Sequence, residues 1–204
     1  MKVYKVYPTG FASNSYIVTG NGTTCAVIDC AQPKVLDKCN QLNLKPECVL
    51  LTHGHYDHIG GCAAFAAQNV PIMCGKEEEP LIFSAAYNAM CGGIPPFKIT
   101  KTFTDGEEFE AAGVKFKVIA TPGHSAGGVC YLAEDCIFTG DTLFCQSVGR
   151  TDLPTGSGSQ LVRSVKKLYA LDGDYIIYCG HEDDTTLQAE RQGNYYIRQD
   201  DADY

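Results

Sequence analysis

Four short apolar runs in this chain each end in a loop that carries histidine or aspartate. Residues 49–51 lead into Thr52-His53-Gly54-His55-Tyr56-Asp57-His58, and residues 117–120 lead into Thr121-Pro122-Gly123-His124. Residues 136–139 lead into Gly140-Asp141, and residues 176–179 into Gly180-His181. Apolar strands that deliver polar groups at their carboxyl ends describe a sheet scaffold with a ligand site along one edge, the edge at which α/β sheets bind ligands. The pattern consumes all five histidines of the chain, leaving none for an ordinary core or surface position. Imidazole is the commonest metal-ligating side chain, and a rigid scaffold holding loop-borne ligands is the geometry a metal site needs.

Strand-like runs rich in Val, Ile, Tyr, Cys and Thr fall at 2–7, 14–19, 24–29, 48–52, 70–74, 114–120, 128–133, 136–139 and 174–179. Helical stretches are predicted at 33–43, 58–69, 78–91, 157–171 and 185–198. The first half reads as a hairpin followed by β-α-β-α-β, and the second as hairpins followed by helix, strand and helix, a mixed α/β fold. With 204 residues and no repeat, linker or low-complexity tract, one domain over 1–204 is expected. The net charge of −8 excludes nucleic acid, which is bound through Lys and Arg. No apolar stretch approaches the ~20 residues of a membrane span, and the N-terminus lacks the apolar core of a signal peptide. The eleven cysteines form no C-x-x-C pair and sit mostly in apolar runs, so they read as reduced core residues of a cytoplasmic protein.

In a tight loop His53 and His55 can point to one centre, and Asp57 and His58 to a second. His124 can complete the first set and His181 the second, while Asp141 can bridge them. Structural zinc sites are closed and usually cysteine-rich; this set has no cysteine and leaves positions open, as in a two-metal hydrolytic site. Two divalent transition metal ions are expected, zinc first, with iron or manganese also suited to His and Asp donors. Asp57 doubles as the candidate catalytic residue. Asp29 either supports a ligand or ends its strand and caps the helix near Pro33. Arg150 either receives a substrate carboxylate or pairs with Asp152. Asp184 reads as the cap of the last helix, and Lys76 to Glu79 as a solvated helix start. Leu81, Ile82, Phe83, Tyr87 and Met90 read as a substrate lid or as packing.

On these residues the chain resembles the metallo-β-lactamase superfamily. The matching positions are Asn14-Ser15-Tyr16, Asp29, His53-x-His55-x-Asp57-His58, His124, Asp141 and His181, in that order. The resemblance implies a four-layer αβ/βα sandwich with two metals at one edge of the sheets, held by the residues just named. Within the superfamily the chain is similar to glyoxalase II-like hydrolases, through Gly140-Asp141-Thr142-Leu143-Phe144 followed by Gly149-Arg150-Thr151-Asp152-Leu153. Persulfide dioxygenases carry a similar Gly-Arg-Thr-Asp stretch. Only 23 residues follow His181, which points to the short single-domain type without the helical domain that helps bind glutathione. The implied activity is hydrolysis of a small-molecule thioester of the hydroxyacylglutathione type by metal-activated water. The alternatives are a persulfide dioxygenase with one iron on His53, His124 and Asp141, or a lactone or ester hydrolase on the same scaffold.

Overall fold

The computed structural model describes residues 1–199. The chain first builds a six-stranded sheet in the order β1 (Lys2–Val6), β2 (Ser15–Thr19), β3 (Thr24–Ile28), β4 (Lys45–Leu50), β5 (Ile72–Gly75) and β6 (Lys101–Phe103). β1 to β3 run antiparallel; from β3 to β6 each neighbour is parallel. Parallel neighbours need crossovers, and helices supply them: α1 (Lys34–Gln41), then α2 (Tyr56–Ile59) with α3 (Cys62–Ala66), then α4 (Glu79–Ile82) with α5 (Ala85–Met90).

The second half supplies β7 (Glu108–Ala111), β8 (Val114–Ala120), β9 (Val129–Ala133), β10 (Cys136–Gly140), the ribbon of β11 (Leu143–Phe144) and β12 (Ser147–Val148), α6 (Gly158–Tyr169), β13 (Ile176–Cys179), β14 (Thr185–Thr186) and α7 (Leu187–Gly193). Its six-stranded sheet has the order β14-β13-β10-β9-β8-β7. β10 and β13 are its parallel pair, joined through α6.

Alternation along the strands sends successive side chains to opposite faces, and here both faces find a core. Tyr16, Val18, Ile28 and Leu50 of the first sheet pack on Phe116, Val118, Tyr131 and Phe138 of the second. Ile17, Val27, Val49 and Leu51 turn the other way, beneath Val35, Cys39, Ile59 and Phe65 of the helices. Ile119, Ile137 and Ile177 lie under Leu161, Val165 and Leu168 of α6 and Leu187 of α7. The layers are therefore helix, sheet, sheet, helix: the mixed α/β fold expected from the strand and helix pattern, in the sandwich that the resemblance implied.

Several elements differ from the sequence reading. The helix expected over 58–69 is broken at Gly60-Gly61, where the chain passes so close to the backbone of Cys30, Ala31 and Gln32 that a β-carbon would collide. The helix expected over 78–91 is likewise two short ones, the second capped by the Ser84 hydroxyl, which accepts from the Tyr87 N–H. The last helix spans Leu187–Gly193, within the 185–198 expected. Its cap is Thr186, accepting from the Ala189 N–H, and not Asp184. Asp184 instead pairs with Lys5 at 2.8 Å and accepts from the Tyr16 hydroxyl. β6, β7, β11, β12 and β14 are short and were not expected from the apolar runs.

Candidate metal centre

β4, β8, β10 and β13 end side by side at one edge of the two sheets, and the loops that follow bring all five histidines, Asp57 and Asp141 together. The His53 ring lies 4.7 Å from those of His55 and His124 and 4.0 Å from that of His58. His58 Nε2 is 3.1 Å from Asp141 Oδ1, and His181 Nε2 is 3.1 Å from Asp57 Oδ2 and 3.4 Å from Asp141 Oδ2. The donor atoms fall into three groups whose members all lie within 4.8 Å of one another: His53, His55 and His124; His53, His58 and Asp141; Asp57, His58 and His181. Asp141 also stands 3.4 Å from His124, so its carboxylate sits between the His124 and His181 sides.

Four atoms here are buried without a hydrogen-bond partner: Nε2 of His53, His55 and His58, and Oδ1 of Asp141. The last two are close but not aligned for a hydrogen bond. Orphaned buried polar atoms are costly, and cations held by the His53-His55-His124 and His53-His58-Asp141 groups would account for all four. The protonation states of three of the histidines agree. Burial, with His58 and His55 nearby, holds His53 well below the usual histidine range, and burial with the facing His124 pushes His55 down to about 3. Burial also lowers His124. These are neutral imidazoles, the form that ligates metal. On the other side burial opposes charge on His58, yet Asp141 and Asp29 raise it well above its usual value. Burial is likewise outweighed at His181, which Asp141 and Asp57 lift to about 9. Burial alone would raise Asp141; His58 and His181 hold it well below the carboxylate range.

The ligand loops are themselves held in place. Asp29 ends β3 at φ 53° and accepts from the Thr52 N–H and hydroxyl, both at 2.8 Å, while its Oδ2 lies 2.8 Å from His58 Nδ1. It therefore holds the candidate ligand His58 and caps no helix; α1 has Pro33 at its cap position, with no side-chain bond. Asn14 Nδ2 donates to the carbonyls of Cys179 and Glu182, and the Tyr16 hydroxyl donates to the Cys179 carbonyl at 2.6 Å. The Asn14-Ser15-Tyr16 match thus clamps the loop that carries His181. Gly180 and Gly149 touch the centre with backbone alone: a β-carbon on either would run into Asp141, and on to His58 or His124 respectively.

Arg150 does not reach the centre with its guanidinium, which is exposed and paired in a two-pronged contact with Asp152, both bonds 2.6 Å. Its carbonyl does, 2.7 Å from His124 Nδ1.

Glu78 overturns the reading of Lys76 to Glu79 as a solvated helix start. A 3-10 turn after β5 rotates Glu78 to 0% exposure, where its carboxylate accepts from the Gly54 N–H, the Ser125 hydroxyl and the Gly127 N–H at 2.8, 2.9 and 2.8 Å. Gly54 lies between His53 and His55, and Ser125 follows His124, so one buried carboxylate ties the two ligand loops together. No sequence signal separates Glu78 from the flanking Glu77 and Glu79. Of the five lid candidates, Leu81, Ile82 and Tyr87 are buried, and Phe83 and Met90 are exposed. Tyr87 reaches the site: its ring is 5.8 Å from that of His55, and its hydroxyl accepts from the Tyr56 N–H.

Known proteins share this arrangement of sheets. The crystal structure of the B3 metallo-beta-lactamase BLEG-1 superposes with a TM-score of 0.87 at 28% identity, covering 96% of this chain and 99% of that one. The structure of TTHA1623 in a di-iron-bound form gives 0.84 at 30% identity, over 95% of this chain and 100% of that one. In sequence, a hydroxyacylglutathione hydrolase of Pseudoalteromonas translucida (strain TAC 125) is 39% identical over 175 residues, which is 83% of this chain and 62% of that protein. This chain thus spans less than two thirds of that relative's length. The metallo-beta-lactamase superfamily profile runs from residue 8, ahead of β2, to residue 181, the last histidine of the centre, and the chain belongs to that superfamily.

Proposed function

We propose that this protein is a two-metal hydrolase that cleaves a small-molecule thioester of the hydroxyacylglutathione type. The observation that supports this most is the set of four orphaned buried atoms within a cluster of five histidines and two aspartates. His53, His55 and His124 would hold one divalent ion, Asp57, His58 and His181 the other, and Asp141 would lie between them. Zinc is the first expectation, with iron or manganese suited to the same donors. When bound, such ions supply a water acidified from ~16 to about 7 and a Lewis acid for the carbonyl.

The chain's own residues do the rest. Asp29 and the Arg150 carbonyl fix the Nδ1 atoms of His58 and His124, so that each ring presents Nε2 inward. Asp57, less buried than Asp141 and 3.1 Å from His181, is placed to hold a proton of the attacking water and orient it. His181 is the most exposed of the five histidines and marks the open side. The leaving thiol, with an ordinary pKa of about 8.5, departs as thiolate and needs no strong acid. The eleven free cysteines, nine of them buried, favour a reducing compartment such as the cytoplasm. No helix among the described residues is long and apolar enough to cross a membrane.

The test is metal content per chain together with turnover of a 2-hydroxyacyl thioester, on protein produced with zinc and with iron. Two metals per chain and cleavage abolished by Asp57→Ala support the hydrolase. One iron per chain, no cleavage, and oxygen uptake with a persulfide would replace it with the dioxygenase.

A further inference from the structure

Beside the metal centre lies a cavity of about 340 Å³ that none of the ligands lines. One wall is Leu81, Ala86, Tyr87 and Met90 of α4 and α5; the facing wall is Pro154 and Thr155. Both walls are fastened to ligand loops. The Tyr87 ring lies tilted 5.8 Å from that of His55 and its hydroxyl takes the Tyr56 N–H, while the Thr155 hydroxyl accepts from the Ala126 N–H, two residues beyond His124. The cavity therefore flanks the His55 and His124 side of the centre.

Its chemistry is uniform. No carboxylate, ammonium or guanidinium lines it. The Ser84 and Thr155 hydroxyls each accept from a backbone N–H and keep an O–H to donate, and the rest of the lining is mainly aliphatic and aromatic. Arg150, the cation nearest in sequence to the Pro154 wall, is tied up by Asp152. The exposed apolar side chains around it point the same way. Large apolar side chains left exposed on this protein include Phe11, Tyr56, Phe83 and Met90, at 91%, 45%, 53% and 64%. Tyr56 lies within the ligand loop, Phe83 and Met90 border the cavity helices, and the loop bearing Phe11 is bonded to Asp57 through the Ser13 N–H. Exposed apolar groups gathered around a catalytic edge mark a ligand groove.

We infer that this cavity binds an aliphatic group of the substrate, so that the thioester on which the protein acts carries an uncharged hydrocarbon portion on one side of the bond. The inference rests on the hydrolase reading for the bond cleaved, but not for the binding. The volume suits a short chain: complete ligand pockets run from about 300 to 1,000 Å³.

Two measurements on the metal-loaded protein test it. Calorimetric Kd values for straight-chain carboxylates and thiols of three to seven carbons require no turnover. kcat/KM for thioesters, lengthened first on the acyl side with the thiol fixed and then the reverse, shows which side of the bond enters. In at least one binding series and its kinetic counterpart, each methylene should tighten binding and raise kcat/KM about fourfold until the cavity is full. Ala86→Phe, which fills the cavity from an exposed helix position, should bring that factor below twofold. Met90→Asp, which places a charge on its rim without touching the core, should do the same. Flat binding series in the unmodified protein, or slopes that survive both substitutions, would overturn the subsite. Thioester cleavage with flat slopes would remove the subsite and leave the hydrolase. Graded binding of the carboxylates or thiols with no thioester cleavage would do the opposite.

Discussion

Replacing Glu78 by glutamine removes one charge and almost no volume, and the structure says what that costs. The carboxylate accepts from the Gly54 N–H through Oε1, and from the Ser125 hydroxyl and the Gly127 N–H through Oε2. A carboxamide has one acceptor oxygen. It can keep Gly54 or Gly127, and its NH2 then confronts the other backbone N–H. Ser125 can rotate its hydroxyl to accept from that NH2; a backbone N–H cannot rotate. One buried donor is stranded, at about 1–3 kcal/mol, and the surviving bond loses its charge assistance, worth about 1 kcal/mol more. The sum, roughly 3 kcal/mol, is a large share of the 5–15 kcal/mol typical of a domain, and corresponds to a drop in Tm of roughly 6–12 °C. The stranded group lies in one of the two ligand loops, so metal affinity should fall by about 10- to 100-fold, as when supporting partners of metal ligands are removed. Denaturant unfolding of the metal-free protein reads the first quantity, and competition against a chelating dye the second. A Glu78→Gln variant with the unfolding midpoint and the metal affinity of the parent would refute the clamp.

Asp29→Asn keeps the shape that meets Thr52 but can turn an amide toward His58 Nδ1, so metal affinity should fall by about 10- to 100-fold while the fold survives; unchanged dye competition would show that His58 needs no such partner. Arg150→Ala should change kcat/KM less than twofold and leave Tm in place, because the guanidinium is exposed and bound to Asp152. A tenfold loss of kcat/KM would instead put that side chain on the substrate. The metal-free protein should lose stability as pH rises. His181 has its folded pKa lifted to about 9, above the ordinary 6.5, so its pairing with Asp57 and Asp141 stabilises fully below 6.5 and fades through about 9. About 1.4 kcal/mol per unit, discounted for partial exposure, gives roughly 2 kcal/mol. Unfolding titrations at pH 6 and 9.5 measure it, and greater stability at the higher pH would contradict the sign.

What could be read in the sequence and what could not divides along the range of the interactions. The cluster of candidate donors was legible because the loops that carry it follow apolar strands, and the strand fixes where its loop emerges: Val49 to Leu51 place His53, and Ile177 to Cys179 place His181. The alternation of Val114, Phe116 and Val118 with Lys115 and Lys117 made β8 legible in the same local way. Glu78 was illegible because its burial is decided by Gly54 and Gly127, which lie 24 and 49 positions away. In a run of charges, one carboxylate with three partners resembles its two neighbours with none in that cluster. The break at Gly60-Gly61 has the same origin, since the backbone that excludes a β-carbon there belongs to residues 30–32. Arg150, whose pairing with Asp152 was one of the two alternatives expected, shows the converse case of range. Its side chain is claimed by a residue two positions away, and the group that serves the centre is its carbonyl, which every residue type possesses and which no motif can encode. A reading by residue type therefore finds candidate ligands, which must be particular side chains. It misses supports supplied by backbone or by distant partners, and in this protein those supports decide which way His58 and His124 face.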